Sequence, residues 1–154
     1  MHSDLRNQLE QSILGEHLSP SNLSAFIEVG RWLERPPGAC LFREGDENHD
    51  VYFLLAGRVD LSMTVPGRGA CRILTVGPGE LIAWSAVVGN ATMTCSAVCL
   101  EECRLIAINA AALHVVIAAD PQFGYEFMKM MASALSKRLL ATRLQLLDLF
   151  RNPA

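Results

Sequence analysis

No apolar run in this 154-residue chain approaches the roughly 20 residues that a membrane-spanning helix needs; the longest, Val51 to Ala56 and Val115 to Ala119, fall far short. No membrane span is expected. The N-terminus, Met1 to Arg6, lacks the basic start and apolar centre of a secretory signal, which predicts a cytoplasmic location and reduced thiols for the five cysteines. Also missing are a Gly-x-Ser-x-Gly elbow, a His-Glu-x-x-His helix and a phosphate loop ending in Gly-Lys-Ser/Thr, so nothing points to a catalytic centre. With 13 basic and 16 acidic residues, formal charge is −3, and there is no overall electrostatic attraction to nucleic acid.

Charge is sparse at 19%, whereas hydrophobic residues make up 51%. That balance predicts a well-filled core in a chain of single-domain length, 1-154, with no need of a disulfide staple. Three zones separate within it. Residues 1-36 are expected to form N-terminal helices: Leu5, Leu9, Ile13 and Leu14 recur at helical spacing, and Ser19-Pro20 supplies an N-cap and first-turn proline. Leu23, Phe26, Ile27 and Trp32 would form the buried stripe of the second helix. Pro36-Pro37-Gly38 ends the zone.

Residues 37-109 hold eight of the eleven glycines, with short strand-like runs between them. Val51 to Leu55 is continuously apolar, as a strand covered on both faces would be. Val59, Leu61 and Met63 alternate with polar residues, the period of a half-buried strand. Ala70 to Val76, Thr92 to Leu100 and Cys103 to Ile108 continue the extended patterning, which together predicts a sandwich or barrel-like roll. Residues 110-150 return to helix, with Asn109 as N-cap of a short one and Asp120-Pro121 starting a long one that runs to Phe150. At 1.5 Å per residue the last helix would be about 45 Å long, so part of it must cross or leave the body. Met128, Met131, Leu135 and Leu139 form one apolar stripe, and Leu140, Leu144 and Leu147 another, predicting one contact with the roll and one with a second copy of the chain. Lys129, Lys137, Arg138, Arg143 and Arg151 are assigned to the solvated face of this helix.

Cys95, Cys99 and Cys103 are spaced by four. On a regular strand neighbours would lie about 13 Å apart, too far to share a metal, so they are assigned as small buried hydrophobes. His114, on the short helix, is assigned as a hydrogen-bonded imidazole rather than a metal or haem ligand.

The runs Leu41-Phe42-Arg43-Glu44-Gly45-Asp46, Asp50 to Val59 and Gly77-Pro78-Gly79-Glu80-Leu81 resemble the cyclic-nucleotide-binding domain family, which includes the sensor domains of catabolite-activator-type transcription factors. The resemblance extends from about Leu18 to Phe150. It implies an α+β fold: a double-stranded β-helix, or jelly-roll-like β-roll, flanked by N-terminal helices and a long C-terminal helix. It implies further that Gly79-Glu80-Leu81 opens a segment whose backbone N–H groups hold a cyclic phosphate and whose Glu80 accepts a hydrogen bond from the ribose. The expected ligand-binding residues are Gly79, Glu80, Leu81, Ile82, Trp84, Ser85, Met93 and Thr94. Trp84 is expected either to cap the pocket or to pack in the core.

The chain departs from the family at the arginine that pairs with the phosphate, because Met93 occupies that position and Thr94 the small one after it. A charge-assisted contact worth roughly 1.5–3 kcal/mol, or one to two decades of affinity, is lost. The expected function is a non-enzymatic ligand-sensing regulatory domain with weakened affinity for its expected ligand, cyclic AMP or cyclic GMP, and the sequence assigns no cofactor. A degenerate domain serving protein interaction and a cysteine-based redox sensor stand as alternatives. The expected partners are a small-molecule ligand or a protein, with a homodimer through the C-terminal helix. No helix-turn-helix follows that helix in this sequence, so direct DNA binding is not expected.

Overall fold

Ser19 starts the helical scaffold as the sequence predicts: its hydroxyl accepts from the Asn22 N–H, and Pro20 occupies the first turn of the helix it caps. The computed structural model describes residues 2–151, with side chains from Arg6 onward, so the expected burial of Leu5 and the residues 152–154 lie outside it. The N-terminal helices are α1 (His2–Glu10), α2 (Ile13–His17) and α3 (Pro20–Val29). Leu9, Leu14, Leu23 and Phe26 are buried, the stripe the spacing called for.

The predicted helical zone ends early. Arg31–Arg35 is a strand, β1, and Trp32 is 40% exposed rather than part of a helical stripe. At Gly30 the chain runs close against the sheet, where a Cβ would meet Ile106 Cγ2 at 2.5 Å, and Arg31–Arg35 then pairs antiparallel with Cys103–Ala107. The remaining strands are β2 (Cys40–Phe42), β3 (Asp50–Ala56), β4 (Val59–Val65), β5 (Gly69–Val76), β6 (Leu81–Ile82), β7 (Ser96–Cys99) and β8 (Cys103–Asn109). They form two antiparallel sheets, in the orders β1-β8-β3-β6 and β2-β7-β4-β5.

Strand β3 is buried on both faces, and its side chains alternate between two cores. Tyr52 and Leu54 point into the roll, against Val59, Leu61, Val76 and Ala97 of the other sheet. Val51, Phe53 and Leu55 point outward into a second core shared with the helices. Strand β8 divides in the same way, with Leu105 and Ala107 inside and Ile106 and Ile108 outside.

Two helices close the outer core, α5 (Ala110–Ala119) and α6 (Pro121–Arg151), with the four-residue α4 (Ser85–Val88) set between strands β6 and β7. Asn109 caps α5 through a 3.1 Å bond from the Ala112 N–H. His114 Nε2 lies 2.9 Å from the Val87 carbonyl, a hydrogen-bonded imidazole as predicted. In α6 the buried face is Phe123, Phe127, Met130 and Met131, stacked through Phe127 onto Phe26. The predicted first stripe meets the roll only in part, because Leu139 is already exposed, and every residue from there to Arg151 is solvent-facing.

Cys99 and Cys103 do not lie along one strand. A turn at Leu100 to Glu102 reverses the chain and brings the two buried thiols together, and burial with the neighbouring Cys103 pushes the Cys99 thiol up to about 12. No group of three metal-ligating side chains occurs among the described residues. Nor, among those residues, is any helix long and apolar enough to cross a membrane.

Gly57 turns the chain from β3 into β4 at φ +97°, where an added Cβ would sit 2.5 Å from the Glu102 carbonyl and 2.9 Å from Cys103 Cα. Both left-handed strain and backbone overlap oppose any side chain. Gly57→Ala is expected to lower stability by about 2–5 kcal/mol, read from urea melts. A second expectation concerns Glu126, which fixes the base of α6 to the start of α3: its Oε1 accepts from the Ser19 N–H at 2.7 Å and from Asn22 Nδ2 at 3.0 Å. Hydrogen bonds from Asn22, then Gln122 and the Ser19 backbone, hold its carboxyl below the usual glutamate value. Because the folded value is the lower one, the stabilisation is present above the unfolded value and disappears as pH falls through the folded one. Glu126→Gln should therefore flatten the loss of stability between about pH 5 and pH 3.

Candidate ligand-binding cleft

Between β6 and β7 the chain leaves regular pairing. Ala83, directly after β6, adopts φ +65°, the only non-glycine residue with positive φ among those described. Such a backbone costs a non-glycine residue of order 1–3 kcal/mol and persists where surrounding structure imposes it. It turns the chain outward so that Trp84 and Ser85 begin α4 beside the mouth of the roll. There a cleft of about 170 Å³ opens into the inner core. Its apolar wall is built by Phe42, Leu61, Leu74, Ile82 and Met93, from four strands and the β6–β7 connection. The hydroxyls of Ser85, Thr94 and Thr142 line its rim.

Helix α6 supplies the remaining side of the cleft, through Arg138 and Thr142. Arg138 is not on a solvated face: its side chain is 18% exposed, and Nη2 donates to the Leu81 carbonyl at 2.8 Å. Glu80 Oε1 stands 3.9 Å from the same nitrogen. Burial pulls the guanidinium below its ordinary pKa, and the Glu80 carboxylate, then Cys95, oppose that shift. An arginine remains cationic regardless.

Of the eight residues expected from the sequence, the structure brings Ile82, Trp84, Ser85, Met93 and Thr94 together around this cleft. Trp84 lines the cleft and packs against the outer core that includes Met131. Met93 is 3% exposed, its sulfur facing Asn48 Nδ2 at 3.6 Å, and it narrows the cleft floor without sealing it. The other three lie elsewhere. Gly79, at φ +90°, donates its N–H to the Leu54 carbonyl and borders a separate groove beside Gln8 and Gln11. Leu81 is buried in the outer core. Glu80 folds back on its own turn, where Oε2 accepts from the Gly77 N–H at 2.6 Å.

Arg138 and Thr142 are absent from the sequence-based set. The signal that marks Arg138 is phase, since Met131, Leu135 and Arg138 follow one another at i, i+4 and i+7 on the core-facing stripe. Phe42, Leu61 and Leu74 are ordinary inward-facing strand residues, and nothing local distinguishes them from the rest of the core.

A family model described as the cyclic nucleotide-binding domain matches residues 32–120. Among curated proteins, the CRP-like cAMP-activated global transcriptional regulator of Mycobacterium tuberculosis is 26% identical over 133 residues, covering 86% of this chain and 57% of that protein. The cyclic AMP receptor protein of Thermus thermophilus is 27% identical over 138 residues, covering 90% of this chain and 62% of its own length. This chain thus spans less than two thirds of either relative. In fold it is similar to the crystal structure of a cyclic nucleotide-binding domain from Methylobacillus flagellatus, with a TM-score of 0.81 at 20% identity over 85% of this chain and 74% of that one. A family model covering more than half of its length, on a fold with the same roll and helices, shows that the chain belongs to the cyclic nucleotide-binding domain family.

Proposed function

We propose that this chain is a non-enzymatic sensor domain in which a small molecule enters the cleft between the roll and α6, and α6 carries the response to a partner. The observation that carries this reading is that one cleft is lined at once by the inner core, by α4 and by Arg138 and Thr142 of α6. Occupancy and helix position are then coupled through shared contacts. The relatives named as cAMP-activated regulators support a ligand-responsive role. Against tight cyclic nucleotide binding stands the methionine at position 93, and one oxygen of Glu80 is taken by the Gly77 N–H.

A second reading, a closed domain working through protein contacts alone, is favoured by one observation: buried Met93 occupies the cleft floor. The redox alternative is disfavoured by the raised pKa of Cys99 and, through burial, of Cys95, because the thiolate is the reactive form.

The exposed stripe of Leu140, Leu144 and Leu147, with Leu139, Leu146 and Leu149 beside it, supports pairing of α6 with a second copy of the chain.

Calorimetry with cyclic AMP and cyclic GMP is expected to show binding weaker than micromolar, and micromolar affinity would defeat this reading of Met93. Met93→Arg should destabilise the free protein by about 1–3 kcal/mol, because a cation enters an apolar wall, and should raise cyclic AMP affinity about 10- to 100-fold. Light scattering at micromolar concentration should give twice the chain mass. The double variant Leu144→Asp, Leu147→Asp should return the monomer with its helix content retained, and a monomeric wild type would remove the dimer.

A further inference from the structure

Arg138 is the single charged side chain lining the cleft among the described residues, and every other wall is apolar, hydroxyl or thiol. Its guanidinium offers five N–H donors, yet among the described residues its hydrogen bond is the one to the Leu81 carbonyl. The nearest carboxylate oxygen, on Glu80, is 3.9 Å away, beyond hydrogen-bond reach, and the other oxygen of Glu80 is held by the Gly77 N–H. A largely buried cation in this state is under-compensated: it has left water for little return. The group that compensates it best is an anion offering two acceptor oxygens to the guanidinium fork.

Size and lining narrow the class further. The cleft, at about 170 Å³, is below the roughly 300–1,000 Å³ of pockets that enclose drug-sized ligands. Ring-sized apolar bodies fit against Phe42, Leu61, Leu74 and Ile82, with Trp84 at the mouth. Glu80 turns Oε2 to the Gly77 N–H and leaves Oε1 3.9 Å from Arg138, so a ribose reaching for this carboxylate would compete with the backbone bond.

We propose that the cleft takes a small, mostly apolar carboxylic acid, its carboxylate held by Arg138 and its body packed on the inner-core wall. This rests on the sensor reading and names the ligand class for it. It also names the coupling: the anchoring cation is carried by α6, so the bound acid ties the helix to the roll at that point. Arg138 thereby supplies, from a different element, the positive charge that position 93 lacks.

The test uses the full chain and three probes in calorimetry: naphthalene-2-carboxylate, its neutral analogue naphthalene-2-carboxamide, and cyclic AMP. The acid is expected to bind about 10- to 100-fold more tightly than the amide, as a charge-assisted pair in a water-poor site would give. Arg138→Gln, which removes the charge and keeps an N–H donor, should erase that preference, so that acid and amide bind that variant equally. Arg138→Lys should keep most of it, and circular dichroism melts establish that both variants fold. Equal binding of acid and amide, or an acid preference that survives Arg138→Gln, would overturn the anchor while leaving the sensor cleft in place. Cyclic AMP binding more tightly than the acid would overturn the ligand class. Failure of all three probes to bind at millimolar concentration would remove the sensor reading and this inference together.

Discussion

The constraint on which this molecule depends is that β3 is buried on both faces. A strand with one wet face needs one core; β3 needs two, and so the protein has two. Tyr52 and Leu54 close the inside of the roll, while Val51, Phe53 and Leu55 require a cover that only helices supply. Leu9, Leu14, Leu23 and Phe26 from the N-terminus and Phe123, Phe127 and Met130 from α6 provide it. Without them, apolar side chains on one face of the sheet would stand in water at roughly 1.5–3 kcal/mol each. The helices are therefore part of the same folding unit as the roll.

The cleft follows from the same division. It opens where the inner core is left incomplete, between the short β6 and the irregular segment that leads to β7. Only two residues of β6 pair with β3, and the chain then turns away through the positive φ of Ala83. Trp84 belongs to both sides of this boundary, lining the cleft and packing with the outer core. The two cores thus meet at a single aromatic ring.

Much of the fold is legible in local sequence. The continuous apolar run at β3, the caps at Ser19 and Asn109 and the proline opening α6 each act through a few neighbouring residues and appear where the pattern places them. The alternation at β4 holds for Val59 and Leu61 but not for Met63, which is exposed where β4 runs out with β5 beyond the core. What local pattern misses is set by distant partners. Trp32 continues a helical spacing, but pairing with β8 across more than 70 residues extends the chain there. The site is less legible than the fold, and for the same reason. Ile82, Trp84, Ser85, Met93 and Thr94 fall in one segment and meet around the cleft, whereas Arg138 arrives from 57 residues beyond Leu81. Its charge suggests a solvated face, and only its phase with Met131 and Leu135 places it inward. Glu80 shows that spacing alone does not fix a side chain's direction: one of its oxygens accepts from a backbone N–H three residues away.

The uncovered length of α6 has a mechanical consequence. The helix is clamped at its base by Glu126 and the phenylalanine stack, and its last tightly packed residue is Met131. From there to Arg151 the helix extends about 30 Å, held to the roll through Arg138, about 10 Å along it, and exposed from Leu139 onward. A pivot of about 5° at Met131 shifts the backbone at Arg138 by roughly 0.9 Å and the tip by roughly 2.6 Å. The arm has a gain of about three, so a displacement within the give of one hydrogen bond at the cleft becomes, at the tip, a distance on the scale of a side chain.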